Sequence, residues 1–195
     1  MSVSSEIPNI FEKLDKSTHT QENIESASLE TISRLIAVLD HLQSWQKLIS
    51  KAYKGPLWRR VMRTDGEVVL RFQDFTIANG TTWFWALWII CVVNLRQLRR
   101  DYPGLRGQEL MIDGKSLESI EVSRSLIRFS DQILRSAEFL TQEKMGICGA
   151  ASTAFPLQTA IEVLSNARGD TESSSIMPWE TIRRIAGKTC SGFLP

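Results

Sequence analysis

The strongest constraint on this chain is one stretch, WFWALWIICVV, Trp83 to Val93, with 11 apolar residues in an unbroken run. Arg96, Arg99 and Arg100 follow shortly after it. A membrane span needs about 20 such residues, and runs of roughly 10–14 belong more often to buried core helices. A helix that is apolar on nearly every side has to be covered on every side. The sequence therefore predicts a long central apolar helix, starting near Asp74 or Thr76 and running to about Arg100, with the other segments packed around it. No membrane association is expected from it.

The covering segments can be read from their periodicity. Leu29, Ile32, Leu35, Ile36, Leu39, Leu42 and Trp45 recur at steps of three and four, one face of an amphipathic helix. The register continues through Leu48, Ile49 and Ala52 to Tyr53, where Gly55-Pro56 stops it, Gly by permitting a left-handed cap and Pro by being unable to continue. Thr64-Asp65-Gly66 reads as a turn, with Val68-Val69-Leu70 briefly extended after it. Phe72 and Phe75 anchor the return. Residues 101–116 hold Pro103, Gly104, Gly107 and Gly114 and form a connector. A third helix fits Leu117 to Leu140, with Ser116 as its N-cap. Met145-Gly146-Ile147-Cys148-Gly149 breaks the chain. A fourth helix is expected from about Ala151 to Ala167, with Pro156 in its first turn, and a last short one over Trp179 to about Ala186. No strand pairs or βαβ rhythm are expected. The fold class is all-α: a flexible N-terminal segment over residues 1–28, then one helical domain over 29–195.

With 195 residues the chain can bury a core of ordinary size. A net charge of +1 gives no global field toward nucleic acid or anionic lipid. Cys91, Cys148 and Cys190 are too far apart for a disulfide framework or a metal knuckle, and suit a reducing compartment. The N-terminus, MSVSSEIPNIFEKLDKS, lacks the basic start and apolar run of a secretory signal.

Candidate chemistry is sparse. Cys148-Gly149-Ala150-Ala151-Ser152 sets a thiol and a hydroxyl beside small residues that could cradle an anion, but it reads as a tight connector between helices. His19 and His41 have no partner at metal-ligand spacing. Asp113-Gly114-Lys115-Ser116 resembles the end of a phosphate loop without its first glycine. Basic residues gather at Lys51, Lys54, Arg59, Arg60 and Arg63, and again at Arg96, Arg99 and Arg100, positions that helix C-termini favour through their dipole alone. The sequence thus offers no catalytic, cofactor-binding or metal-binding residue, and no enzyme activity or cofactor is expected. Trp45 and Trp58 are expected to lock the first helix and its exit onto the helix carrying Trp83, Trp85 and Trp88.

Three blocks in order carry a resemblance. The first is L-x-x-W-x7-Y-x-G-P-L-W, Leu42 to Trp58. The second is F-x-D-F-x-I-A-N from Phe72, ahead of the apolar helix. The third is F-S-D-Q-I-L-R-S-A-E-F-L, Phe129 to Leu140, followed by M-G-x-x-G and by F-P-L-Q-T-A, Phe155 to Ala160. Together with Trp179-Glu180 and Ile182-x-x-Ile185, this pattern over residues 29 to 195 resembles the C-terminal regulatory region of fungal binuclear zinc-cluster transcription factors. The six-cysteine cluster that reads DNA in that family is missing here, since three scattered cysteines cannot hold two zinc ions. The resemblance implies a regulator of transcription, of the kind that controls secondary-metabolite gene clusters. It also implies a nuclear location (otherwise cytoplasmic), protein partners such as a transcription factor or co-regulator, and possible homo-oligomers. Direct DNA contact is not expected without the cluster. The alternative is a helical small-molecule-binding or accessory protein of a biosynthetic cluster.

Overall fold

The computed structural model describes residues 21–102, 104 and 109–168. They form four helices and two short antiparallel strand pairs in the order α1 (Gln21–Ala52), β1 (Trp58–Met62), β2 (Val68–Phe72), α2 (Phe75–Asp101), β3 (Met111–Ile112), β4 (Lys115–Ser116), α3 (Ile120–Leu140) and α4 (Gly146–Arg168). The mostly helical architecture agrees with the sequence reading; the strand pairs do not. The helix expected over Trp179 to Ala186, together with His19 and Cys190, lies outside the described residues.

Two compact units emerge. One takes in α1 up to Ile49 together with Ile90–Ser123; the other takes in Ser50–Ile89 and the described residues from Arg124 on. In the first unit, α1 begins at Gln21, so the last eight residues assigned to a flexible 1–28 segment are helical. Gln, Glu, Asn, Ser and Ala there have adequate helix propensity but no apolar stripe to announce it. Ile32, Leu35, Leu39 and Leu42 are buried as expected, and so is Val38, which the expected stripe left out. Leu29, placed on that stripe, is 42% exposed, and Leu48 is 68% exposed, so the apolar face starts later and ends earlier than the spacing suggests. The C-terminal half of α2 buries Cys91, Val92, Leu95 and Leu98.

The β3–β4 hairpin of this unit explains DGKS. Asp113 and Gly114 both take positive φ, 53° and 70°, between the paired Ile112 and Lys115. A two-residue turn with that signature is type I′, for which Asp-Gly is a favoured pair. Ser116 is consequently in a strand rather than at a helix cap. The cap of α3 is Ser119, whose Oγ accepts from the Val122 amide at 3.3 Å. Arg96 closes the connector: its guanidinium donates to the Leu117 carbonyl at 2.8 Å and to Ser123 Oγ at 3.0 Å, beside Glu118.

The second unit opens where α1 ends. Gly55 has φ 116°, a conformation that favours glycine, and Leu57 after it is buried. β1 and β2 then pair antiparallel from Trp58↔Phe72 to Met62↔Val68. Their three-residue loop Thr64-Asp65-Gly66 closes with Gly66 at φ 83°, its amide on the Arg63 carbonyl, and the Arg63 amide on the Glu67 carbonyl at 2.8 Å. That is a type I turn followed by a left-handed glycine bulge. Asp74 caps α2, its Oδ1 accepting from the Ile77 amide at 2.8 Å. The core here is aromatic. Trp85, 1% exposed, meets Trp58 edge-on at 5.3 Å and lies 6.4 Å from both Phe72 and Phe129, while Phe72 reaches Phe139 at 5.4 Å. Trp88 meets Phe129 edge-on at 5.0 Å. Edge-on and offset pairs at such separations suit the ring quadrupole. Trp58 thus finds the partner expected of it. Trp45, half-buried on α1, belongs to the other unit.

α4 starts at Gly146, five residues earlier than the sequence suggests. A 3-10 turn over Glu143–Met145 and a positive φ of 57° at Gly146 redirect the chain. Gly149, read as part of the break, lies inside the helix. A Cβ built on it would run into the Leu140 carbonyl and come within 2.7 Å of Met145 Cβ. Pro156 sits in the middle of α4 rather than in its first turn.

Candidate functional site

The residues singled out for chemistry do not converge. Cys148 is exposed in the first turn of α4. Ser152 Oγ donates to the Gly149 carbonyl at 3.0 Å, and Thr153 Oγ1 donates to the same carbonyl at 2.6 Å. Both hydroxyls therefore serve the helix, as Ser and Thr commonly do within a turn. Cys91 is fully buried in α2, and that burial pushes its thiol pKa up to about 12. A thiol held protonated is a poor nucleophile. His41 is exposed on α1. No group of three His, Cys, Asp or Glu side chains able to hold a metal occurs among the described residues.

What the sequence reading missed is the use of Trp83 and Pro156 together. Pro156 has no N–H, so the carbonyl four residues back, at Ser152, loses its helical donor. Trp83 Nε1 donates to that carbonyl at 3.1 Å, and its ring stacks on Phe155 at 4.9 Å. A tryptophan from α2 thus supplies the hydrogen bond that the proline removes. Either residue alone looks like an ordinary core aromatic or a helix breaker, so the spacing of neither foretells the pair.

In the first basic cluster Arg63 is paired, in a network it shares with Arg71 from outside the cluster. Arg63 pairs with Glu138 and with Asp65, and Arg71 reaches the other Glu138 oxygen at 3.3 Å. Glu138, then partial burial acting the other way, then Asp65 set the balance that raises the Arg63 pKa. Arg135 Nη1 donates to the Val68 carbonyl at 2.8 Å and its Nε pairs with Asp131 at 2.7 Å. The remaining members, Lys51, Lys54, Arg59 and Arg60, are exposed. In the second cluster, Arg96 is pulled down in pKa by burial and back up by Glu118, and Arg99 also approaches Glu118, at 3.6 Å. That cluster stitches its own connector together.

Among the described residues, three buried polar atoms, Asn79 Oδ1, Thr81 Oγ1 and Gln132 Oε1, lack hydrogen-bond partners. Among the described residues, two helical stretches, Phe75–Asp101 and Glu143–Ala167, are long and apolar enough to cross a membrane by length and composition; the first is mostly buried and the second less so. A mostly buried core helix satisfies the same criterion, as the aromatic packing around Trp85 illustrates. No family model, curated protein or solved structure matches the chain.

Proposed function

We propose that this chain is a helical regulatory module of the zinc-cluster transcription-factor kind, acting in the nucleus through contact with a protein partner, on genes such as those of a secondary-metabolite cluster. One observation carries the reading. The separated sequence blocks on which the resemblance rests supply Trp58, Phe72, Phe129 and Phe139 to the aromatic core around Trp85. Their order and spacing are therefore tied together by packing, as shared spacing within a fold family would require. The ionisable groups beside that core are spent on pairing, at Glu138 and Asp131, rather than gathered around a reacting position. The surface keeps large apolar side chains in view, among them Met62 at 73% and Ile147 at 73% exposed, as a contact module would.

Deletion of the gene followed by transcript profiling tests this. A coordinated change in a set of neighbouring biosynthetic genes is expected. Unchanged transcripts, under conditions in which the protein is expressed, overturn the proposal. Purification of the tagged chain from nuclear extract supplies the partner arm, with an identified transcription factor or co-regulator as the expected catch.

A further inference from the structure

The β1–β2 pair is a two-stranded sheet, so each strand has an outer edge. The two edges differ in exposure: β2 buries Val69, Leu70 and Phe72, whereas β1 leaves Arg59, Arg60 and Met62 exposed. In an antiparallel ladder, residues alternate between pointing their N–H and C=O groups at the partner strand and pointing them away. The Arg63 amide bonds to Glu67 across the loop, which sets the phase: Arg59 and Val61 face β2, while Trp58, Arg60 and Met62 present their backbone groups outward. On β2 the same alternation turns Val68 outward, and its carbonyl is taken by Arg135 of α3. Among the described residues, nothing hydrogen-bonds to the outward backbone groups of Trp58, Arg60 or Met62. Arg59, Arg60 and Met62 are exposed. From Ser50 to Thr64 the chain carries Lys51, Lys54, Arg59, Arg60 and Arg63 and no acidic residue.

We propose that the outer edge of β1 is a docking edge for an extended acidic segment of a partner protein, which adds to the sheet as a third strand. A free edge supplies main-chain hydrogen bonds, and the flanking side chains choose the sequence. The choice can be read from WRRVM. Two neighbouring carboxylates would stand opposite Arg59 and Arg60, and two apolar residues opposite Val61 and Met62, since directly opposed side chains are the interacting pairs. Charge on an edge also deters self-pairing. Two copies of β1 laid side by side would bring Arg59 and Arg60 of each together, so the same arginines that attract an acidic strand repel a second copy. This rests on the reading of the chain as an interaction module and gives that module's partner a chemistry.

The experiment uses the full chain and a fluorescein-labelled peptide containing Ile-Val-Glu-Glu-Val, read by anisotropy at low and physiological salt. Saturable binding is expected, weakened about tenfold by Arg60→Glu. Methylating alternate amide nitrogens of the peptide should abolish it with no change in charge. Met62→Pro should also abolish it while leaving the melting temperature near wild type, because that amide points out of the ladder. Three results would overturn the proposal: equal binding of the N-methylated peptide or of a scrambled Glu-Ile-Val-Val-Glu version, which would mean adsorption by charge alone; tighter binding of a DNA duplex that competes with the peptide; or self-association through β1 seen by sedimentation. Absence of any peptide binding would overturn it too, while the transcript and co-purification results would still stand for the module reading on their own.

Discussion

Replacing Trp83 by phenylalanine keeps a ring against Phe155 and removes only the indole outline and its N–H. The Ser152 carbonyl then has neither a helical donor, because residue 156 is proline, nor a side-chain one. An unsatisfied buried carbonyl costs about 1–3 kcal/mol, and this one is only partly buried, so about 1 kcal/mol is the reasonable share. For a chain of this length that lowers the melting temperature by about 2–4 °C. The size of the drop alone proves little, since lost ring area contributes as well. The discriminating measurement is a double-mutant cycle with Pro156→Ala. Alanine restores an amide four residues after Ser152, so the carbonyl regains its helical donor and no longer needs the tryptophan. Denaturant unfolding of the four variants should give a Trp83→Phe cost about 1 kcal/mol smaller in the Pro156→Ala background than in the wild type. Equal costs in both backgrounds would refute the pairing of the two residues.

Other expectations follow from the same packing. Trp85→Ala should cost about 3–5 kcal/mol by thermal unfolding, and Trp58→Ala, half-buried, only about 2, so the order of the two is the check. Glu138→Gln should lower the melting temperature at low salt, with the difference narrowing near 1 M salt, because Arg63, Arg71 and Glu138 are each about a third exposed. Cys148 should alkylate readily in the native protein and Cys91 only on unfolding, as peptide mapping after iodoacetamide would show. Folded Cys91 holds its proton to about pH 12, whereas the ordinary thiol value is 9.0, so the unfolded chain releases that proton first. Its contribution to stability is then fully present below pH 9 and declines as pH rises toward 12, by about 1.4 kcal/mol per pH unit. Cys91→Ala should flatten that decline; parallel stability curves for the two proteins would contradict it.

The periodicity that predicted the helices was legible because one physical demand, burial of a stripe, repeats along the chain. It gave α2 nearly to the residue and most of the buried face of α1, missing Val38 and wrongly including Leu29. The hairpin was less legible. Its turn was readable from Thr64-Asp65-Gly66, but β2 buries the adjacent Val69 and Leu70, so the alternation that marks a one-sided strand is missing. Ser116 and Ser119 are equally good caps in isolation, and only the tight Asp113-Gly114 turn decides between them. Pro156 and Gly149 look like helix breakers because sequence rules judge them against an isolated helix. Here a tryptophan from α2 offsets the first, and crowding from Leu140 demands the second. The candidate site was the least legible part. The basic residues of the first cluster were visible, but which of them are spent on Glu138 and which stay available depends on a strand register that the sequence does not announce.

The close approach at Gly149 also fixes a length. Each residue added to or removed from the turn at 141–145 would rotate α4 by about 100° about its axis. A residue bearing a side chain would then be carried into the space beside the Leu140 carbonyl, where only hydrogen fits. The loop between α3 and α4 is therefore a gauge with a single setting. Substitutions along its exposed residues Glu143 and Lys144 should be tolerated, while an insertion or deletion of one residue there should not.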